Sequence, residues 1–218
     1  MSTDVIHQDQ PLHTGGVPLD DAQAALVLLH GRGASAQGML RLAGALDVPN
    51  VAHLAPQARM RSWYPQSFMA PSDQNEPELS SALDTVGTVL ERVGEAGLGP
   101  ERTVLLGFSQ GACLATTYAA QHPQRYGGIV GLSGGLIGPE DAAFDHDGSL
   151  DSTPVFLGCS DEDPYIPAGR VRETADVLQD LNAEVTLRLY EHLGHTTNDD
   201  ELQRVRTLLR RHVDSSAA

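Results

Sequence analysis

The pentapeptide Gly107-Phe108-Ser109-Gln110-Gly111 constrains this 218-residue chain more than any other feature, because its two flanks differ in character. Residues 103–106, Thr-Val-Leu-Leu, form a β-branched and apolar run suited to a fully buried strand. Residues 112–120 are a small-residue run that can continue as a helix close against a sheet. Strand, tight turn and helix in that order fit the G-x-S-x-G elbow, where a strained bend pushes a serine Oγ out of the chain. A side chain at either glycine would collide with the strand or the helix. Ser109 is therefore a candidate nucleophile, the alternative being a structural turn.

The remaining pattern surrounds that elbow with alternating strands and helices. Apolar runs at 24–29, 50–55, 126–132 and 154–158 read as buried strands, and 184–190 as a strand of alternating polarity. A further short strand is expected at 11–14, turned back by Gly15-Gly16 and Val17-Pro18. Helical spacing covers 37–46, 78–93, 167–181 and 199–213, the last with Thr197 and Asp200 in the spacing of a capping box. Residues 57–77 form a long connection containing Trp63, Tyr64, Phe68 and Met69, and 139–153 looks like an acidic, exposed excursion. The expectation is one α/β domain over 1–218, with a mainly parallel sheet covered by helices on both faces.

Charge limits the partners. There are 29 acidic residues against 14 basic ones, a formal net charge of −15, and every basic residue is arginine. Nucleic acid and anionic membranes need a basic footprint that this chain lacks. Salt adaptation fits so large an acidic excess better than codon bias, which explains only the missing lysine. No apolar run approaches the ~20 residues that span a bilayer. The polar N-terminal stretch 1–16 does not read as a signal peptide, so a cytoplasmic setting is expected. Cys113 and Cys159 have no metal-site or disulfide spacing and read as small core residues, with no metal or cofactor implied.

A serine hydroxyl needs a base to take its proton as it attacks. In an open parallel sheet the partners gather at the carboxyl ends of strands. Asp163 and His195 each follow an expected strand, in the chain order serine, acid, histidine. Asp161 and Glu162 compete with Asp163, which is favoured because Pro164 restricts its backbone. His192 competes with His195, which is favoured by Gly194 before it and a helix start after it. An oxyanion hole needs two backbone N–H groups. One should come from Gln110, and the other from the turn His30-Gly31-Arg32-Gly33 after the 24–29 strand.

LLHGRGA at 28–34, APQ at 55–57 with SWY at 62–64, GFSQG at 107–111, LSG at 132–134, DPYIP at 163–167 and GH at 194–195 carry a resemblance over nearly the whole chain. It resembles the phospholipase/carboxylesterase family of α/β-hydrolases, which includes acyl-protein thioesterases. The resemblance implies Ser109, Asp163 and His195 as the triad, and Arg32 and Gln110 as the oxyanion donors. Where acyl-protein thioesterases read HGLGD, this chain has Arg32 and Ala34, which resembles bacterial-type esterases and sets a cation beside the acyl pocket. Trp63, Tyr64, Phe68 and Met69 are expected to wall that pocket, the alternative being a loop plug over the sheet. The implied activity is a serine carboxylesterase for small-molecule esters, with a monomer or homodimer expected. Because no large insertion between strands could form a lid, short- to medium-chain acyl groups are expected. A long-chain lysophospholipase or acyl thioesterase is the alternative, and a non-catalytic ligand-binding member of the fold is the alternative of another class.

Overall fold

An apolar run with no polar alternation must be covered on both faces, and Ala24–Leu29 is buried at all of its positions. In the computed structural model, which describes residues 6–213, it is strand β2. It shares one seven-stranded sheet with β1 (Leu12–Gly16), β3 (Val51–Pro56), β4 (Thr103–Phe108), β5 (Gly128–Leu132), β6 (Pro154–Ser160) and β7 (Glu184–Tyr190). The spatial order is β1-β3-β2-β4-β5-β6-β7, and only β1 runs antiparallel to its neighbour. The outermost positions of the expected domain, and the first residues of the stretch read for a leader, lie outside the described residues. No described helix is long and apolar enough to cross a membrane.

Successive side chains of a strand point to opposite faces, and β2 supplies two cores in that way. Ala25, Val27 and Leu29 join a cluster with α2 (Glu78–Glu95), α3 (Gln110–Gln121) and α4 (Ala168–Asp180). Ala24, Leu26 and Leu28 join the other, with Met39 and Leu46 of α1 (Ala36–Leu46) and Val205 and Leu209 of α5 (Asp199–Val213). Chain order reverses at β2, which leads to β3 on one side and pairs with β4 on the other. Such a reversal opens a crevice beyond the carboxyl ends of the two central strands. Leu29 and Gly107 are register partners, so the turn after β2 and the elbow after β4 meet in that crevice.

Four local expectations need correction. The reversal after β1 lies beyond Gly16, where Val17-Pro18 stand: Gly15 and Gly16 themselves end the strand, opposite His53 and Ala52. Gly16 has φ +69°, and a Cβ there would overlap the Val51 carbonyl, so the pair preserves a close approach. The capping box of α5 lies at Asn198 and Glu201, not Thr197 and Asp200. Asn198 Oδ1 accepts from the Glu201 N–H at 3.0 Å, and Glu201 Oε2 accepts from the Asn198 N–H at 2.9 Å. The 139–153 excursion is pinned, because Leu150 is fully buried and the Arg170 guanidinium lies 5.0 Å from the Phe144 ring. The fourth concerns Trp63, Tyr64 and Met69, and arises with the cavity below.

Candidate active site

Ser109 sits between β4 and α3 at φ 55° and ψ −121°, a conformation that a residue with a side chain adopts only at a cost of order 1–3 kcal/mol. Its surroundings hold it there. The Ser109 N–H donates to Leu132 O at 2.9 Å, and Ser109 O accepts from the Ala112 and Cys113 N–H groups. A Cβ on Gly107 would overlap the Gly111 carbonyl, and one on Gly111 the Leu29 carbonyl. The elbow is thus wedged against β2, and the hydroxyl is the one group left free to project.

Of the candidate partners, the structure brings His195 and Asp163 to Ser109. His195 Nε2 lies 2.8 Å from Ser109 Oγ, and His195 Nδ1 lies 2.7 Å from Asp163 Oδ2. A carboxylate only accepts, so Nδ1 carries the ring hydrogen and Nε2 faces the serine hydroxyl as an acceptor. The Asp163 side chain is fully buried, and its Oδ1 accepts from the Tyr165 and Ile166 N–H groups at 2.9 and 3.1 Å. The His195 ring lies between those of Phe108 and Tyr165, 5.1 and 5.0 Å away. The competitors pair with each other instead. His192 contacts Glu162 Oε2 at 2.9 Å in solvent, which raises its pKa, and its N–H donates to Asp161 Oδ1.

Arg32 and Gln110 line the crevice, and neither backbone N–H has a hydrogen-bond partner among the described residues. The first is oriented from behind. His30 is completely buried, and burial lowers its pKa, so the ring is held neutral. Its Nε2 accepts from the Ala58 N–H at 3.1 Å, which leaves Nδ1–H to donate to Gly31 O at 2.8 Å. In a trans peptide the N–H points opposite to the C=O. Fixing Gly31 O therefore aims the Arg32 N–H away from His30. Gly31 O also accepts from the Ala34 N–H, and the Gly33 N–H donates to Arg61 O, which closes the turn.

Gln110 has a second role that its backbone does not announce. Its side-chain Oε1 accepts from the Trp63 N–H at 2.9 Å, and its Nε2 donates to Tyr64 O at 2.8 Å. The glutamine of the elbow thereby clamps the 57–77 connection. His30 O completes the clamp by accepting from the Trp63 indole N–H at 2.8 Å. Gln57 supports the other end, with its Nε2 3.0 Å from His30 Nε2 and its Oε1 accepting from the Ala36 N–H. His30, Gln57 and the Gln110 side chain brace the elbow and the 57–77 connection in a way that local patterns missed. Their only sequence signal is the APQ and GFSQG context.

Beside Ser109 opens a cavity of about 580 Å³. Phe68 lines it, as do Arg32, Pro65, Gln66 and Ser67, with Tyr165 and Ile166 following the acid. Trp63, Tyr64 and Met69 do not. Trp63 and Tyr64 are buried in the core cluster, and Met69 packs against it. Burying a large aromatic stabilises a fold by about 3–5 kcal/mol against its loss, so these rings anchor the connection under the cavity. Cys113 also reaches the cavity, but burial pushes its thiol up to about 11 and keeps it protonated, unsuited to compete as nucleophile. Among the described residues, no group of three or more His, Cys, Asp or Glu side chains is gathered as a metal ion requires.

A mostly parallel sheet with its elbow after a central strand, and the acid and histidine after later ones, is the α/β-hydrolase fold. The phospholipase/carboxylesterase family model matches residues 17–213. The chain belongs to that family and is a serine ester hydrolase. It is similar to a phospholipase/carboxylesterase of known structure from Dyadobacter fermentans, with 42% identity and a TM-score of 0.89 over 93% of this chain and 97% of that one. It is also similar to acyl-protein thioesterase 1 of Saccharomyces cerevisiae, 26% identical over an alignment of 219 positions, gaps included, that covers 90% of this chain and 96% of the yeast protein. The structure of esterase PE8 matches 93% of this chain and 97% of its own with 25% identity and a TM-score of 0.75.

Proposed function

We propose that this hydrolase is a carboxylesterase for short- to medium-chain esters, working through an acyl-enzyme on Ser109. The observation that carries the reading is the continuous relay from Ser109 Oγ through His195 to the buried Asp163 carboxylate, at 2.8 and 2.7 Å. As Oγ bonds to the ester carbonyl carbon, His195 Nε2 takes the hydroxyl proton. Asp163 remains a carboxylate and stabilises the imidazolium. The carbonyl oxygen becomes an oxyanion and accepts from the Arg32 and Gln110 N–H groups, each worth about 3–4 kcal/mol in the transition state. The tetrahedral adduct expels the alcohol, which receives its proton from His195. Water then loses a proton to His195 as it attacks the acyl carbon, and the acid departs as the Ser109 Oγ–H is restored.

The acyl range rests on the cavity wall. Phe68 and Ile166 offer apolar surface, but Arg32, Gln66 and Ser67 interrupt it, so a long alkyl chain would desolvate polar groups without pairing them. In a series of 4-nitrophenyl esters from acetyl to palmitoyl, kcat/KM is expected to peak at short to medium length. A rate climbing steadily to palmitoyl would favour the long-chain lysophospholipase reading. A thioesterase reading has support in the name of the yeast relative, and matched acyl thioesters in the same series separate the two. Labelling of Ser109 by a fluorophosphonate tests catalysis against a merely ligand-binding role.

His30 supplies a second test of the mechanism. Replacing His30 by Gln keeps a polar side chain but not the fixed reach from Nδ1 to Gly31 O. The Arg32 N–H should then lose its aim, and kcat is expected to fall at least about tenfold, with the 10²–10³ for outright loss of an oxyanion donor as the upper bound. KM should change little, because that contact forms only in the transition state. A rise in KM at constant kcat would assign His30 to substrate binding instead.

A further inference from the structure

The one charged side chain on the wall of the cavity that is not part of the relay is a cation, in a chain whose net charge is −15. Arg32 donates from Nη1 to Pro65 O at 2.7 Å and from Nη2 to Gln66 O at 2.5 Å, with its Cζ 6.0 Å from the Tyr64 ring centre. These anchors are carbonyls and a ring face, neither of which neutralises a guanidinium. Among the described residues Arg32 has no carboxylate within ion-pair distance; Arg170 and Arg204 are the two arginines that have one. A guanidinium carries five N–H donors in a planar fork. Two are used by Pro65 O and Gln66 O, so three remain for a ligand.

Position matters as much as charge. The Arg32 backbone is proposed above to hold the oxyanion, and its side chain lies against Pro65 and Gln66, on the 57–77 connection that lines the cavity. The group is thus fixed a few bonds from where the reacting carbonyl would sit, and its anchors have already removed much of the rotamer freedom that binding would otherwise cost. Carboxylates are absent from the cavity wall outside the relay, so an incoming anion meets no local repulsion there. Every other feature of the wall accepts an apolar or neutral polar chain. Among the described lining residues outside the relay, Arg32 is the one that can select by charge.

From this geometry we infer that Arg32 selects esters whose acyl part ends in a carboxylate, the half-esters of short dicarboxylic acids. The inference rests on the carboxylesterase reading and names its substrate class. Adipate, whose carboxylate stands four methylenes from the ester carbonyl, is the length chosen to test whether both ends can be held in the one cavity that Ser109 and Arg32 line. The contact is a charge-assisted pair that exchanges hydration for two parallel N–H donors. Because the guanidinium is exposed, its discrimination is expected to be moderate and screened by salt.

The test compares 4-nitrophenyl adipate as the half-ester monoanion with its methyl ester, a neutral substrate of nearly the same length. The wild-type enzyme is expected to favour the monoanion in kcat/KM by about tenfold at low salt, about 1.4 kcal/mol, and by less in molar NaCl. Within the Arg32→Gln variant the ratio should fall to about one or below, whatever the absolute rates. Arg32→Lys should restore part of it, because a point charge replaces the fork. Hydrolysis of both esters with a wild-type ratio at or below one would overturn the inference and leave Arg32 as an anchor for Pro65 and Gln66. A tenfold ratio that survives Arg32→Gln would overturn it too, by assigning selection to another group. Preference for a carboxylate placed only on the leaving alcohol would overturn the acyl-side assignment. If neither ester were hydrolysed, the carboxylesterase reading would fall first, and the selectivity with it.

Discussion

Ser109→Ala and His195→Ala are each expected to lower kcat by about a millionfold, and the double variant to be no slower than either one. The reason lies in the relay. His195 Nε2 has Ser109 Oγ as its partner at 2.8 Å, so a histidine without that hydroxyl has nothing to deprotonate. A serine without the histidine keeps a hydroxyl too weakly acidic to attack at neutral pH. Removing either group therefore removes the same step, and free energies of such changes do not add. The residual rate should still exceed that in water, because the Arg32 and Gln110 N–H groups remain to bind the oxyanion. Turnover of a nitrophenyl butyrate, measured with thermal melts of each variant, checks this. Losses that multiply in the double variant would mean that the two residues serve separate steps. Retention of more than about one per cent of activity by either single variant would remove it from the relay.

The parts of the fold readable from sequence are those set by local sterics. Gly107 and Gly111 read as required because a Cβ at either position would strike backbone, and the structure gives those overlaps with Gly111 and Leu29. The unbroken apolar run at 24–29 announces a strand covered on both faces, and β2 is that strand. What could not be read depends on partners distant in the chain. Trp63 and Tyr64 have the composition of a pocket wall, yet the Gln110 side chain, 47 and 46 residues away, ties their backbone down and buries the rings. His30 looks like one more histidine beside a glycine until Ala58 fixes its tautomer from 28 residues away. The capping box shifted by one residue because Asn198 and Glu201 satisfy its spacing as well as Thr197 and Asp200 do, and Glu201 is the one that packs inward. Separating Asp163 from Asp161 and Glu162 required only the rigidity of the following proline. The structure adds the reason that the neighbours are occupied, with both engaged by His192.

Asp163→Asn is expected to cost about ten-thousandfold in kcat while leaving the melting temperature near that of the parent. The side chain at this position is not free to choose its orientation. Asp163 Oδ1 accepts from two backbone N–H groups, those of Tyr165 and Ile166, and an amide would place its carbonyl oxygen there to keep both bonds. Its NH2 must then face His195 Nδ1, where the carboxylate oxygen now stands at 2.7 Å. Two donors cannot share that contact, so Nδ1 gives up its hydrogen and becomes the acceptor. The hydrogen moves to Nε2, which then points a donor at Ser109 Oγ and can no longer take the serine proton. The geometry of all three side chains would survive while the tautomer is wrong, which is why stability and turnover should separate. Asp161→Asn is the matched control. That residue accepts only the His192 N–H, a bond an amide oxygen also makes, so its rate should stay within about threefold of the parent, as a surface change of ~0.5 kcal/mol would give. Steady-state kinetics of the two variants on one ester, with thermal melts, read the difference directly. A large loss in Asp161→Asn with little in Asp163→Asn would reverse the choice of acid.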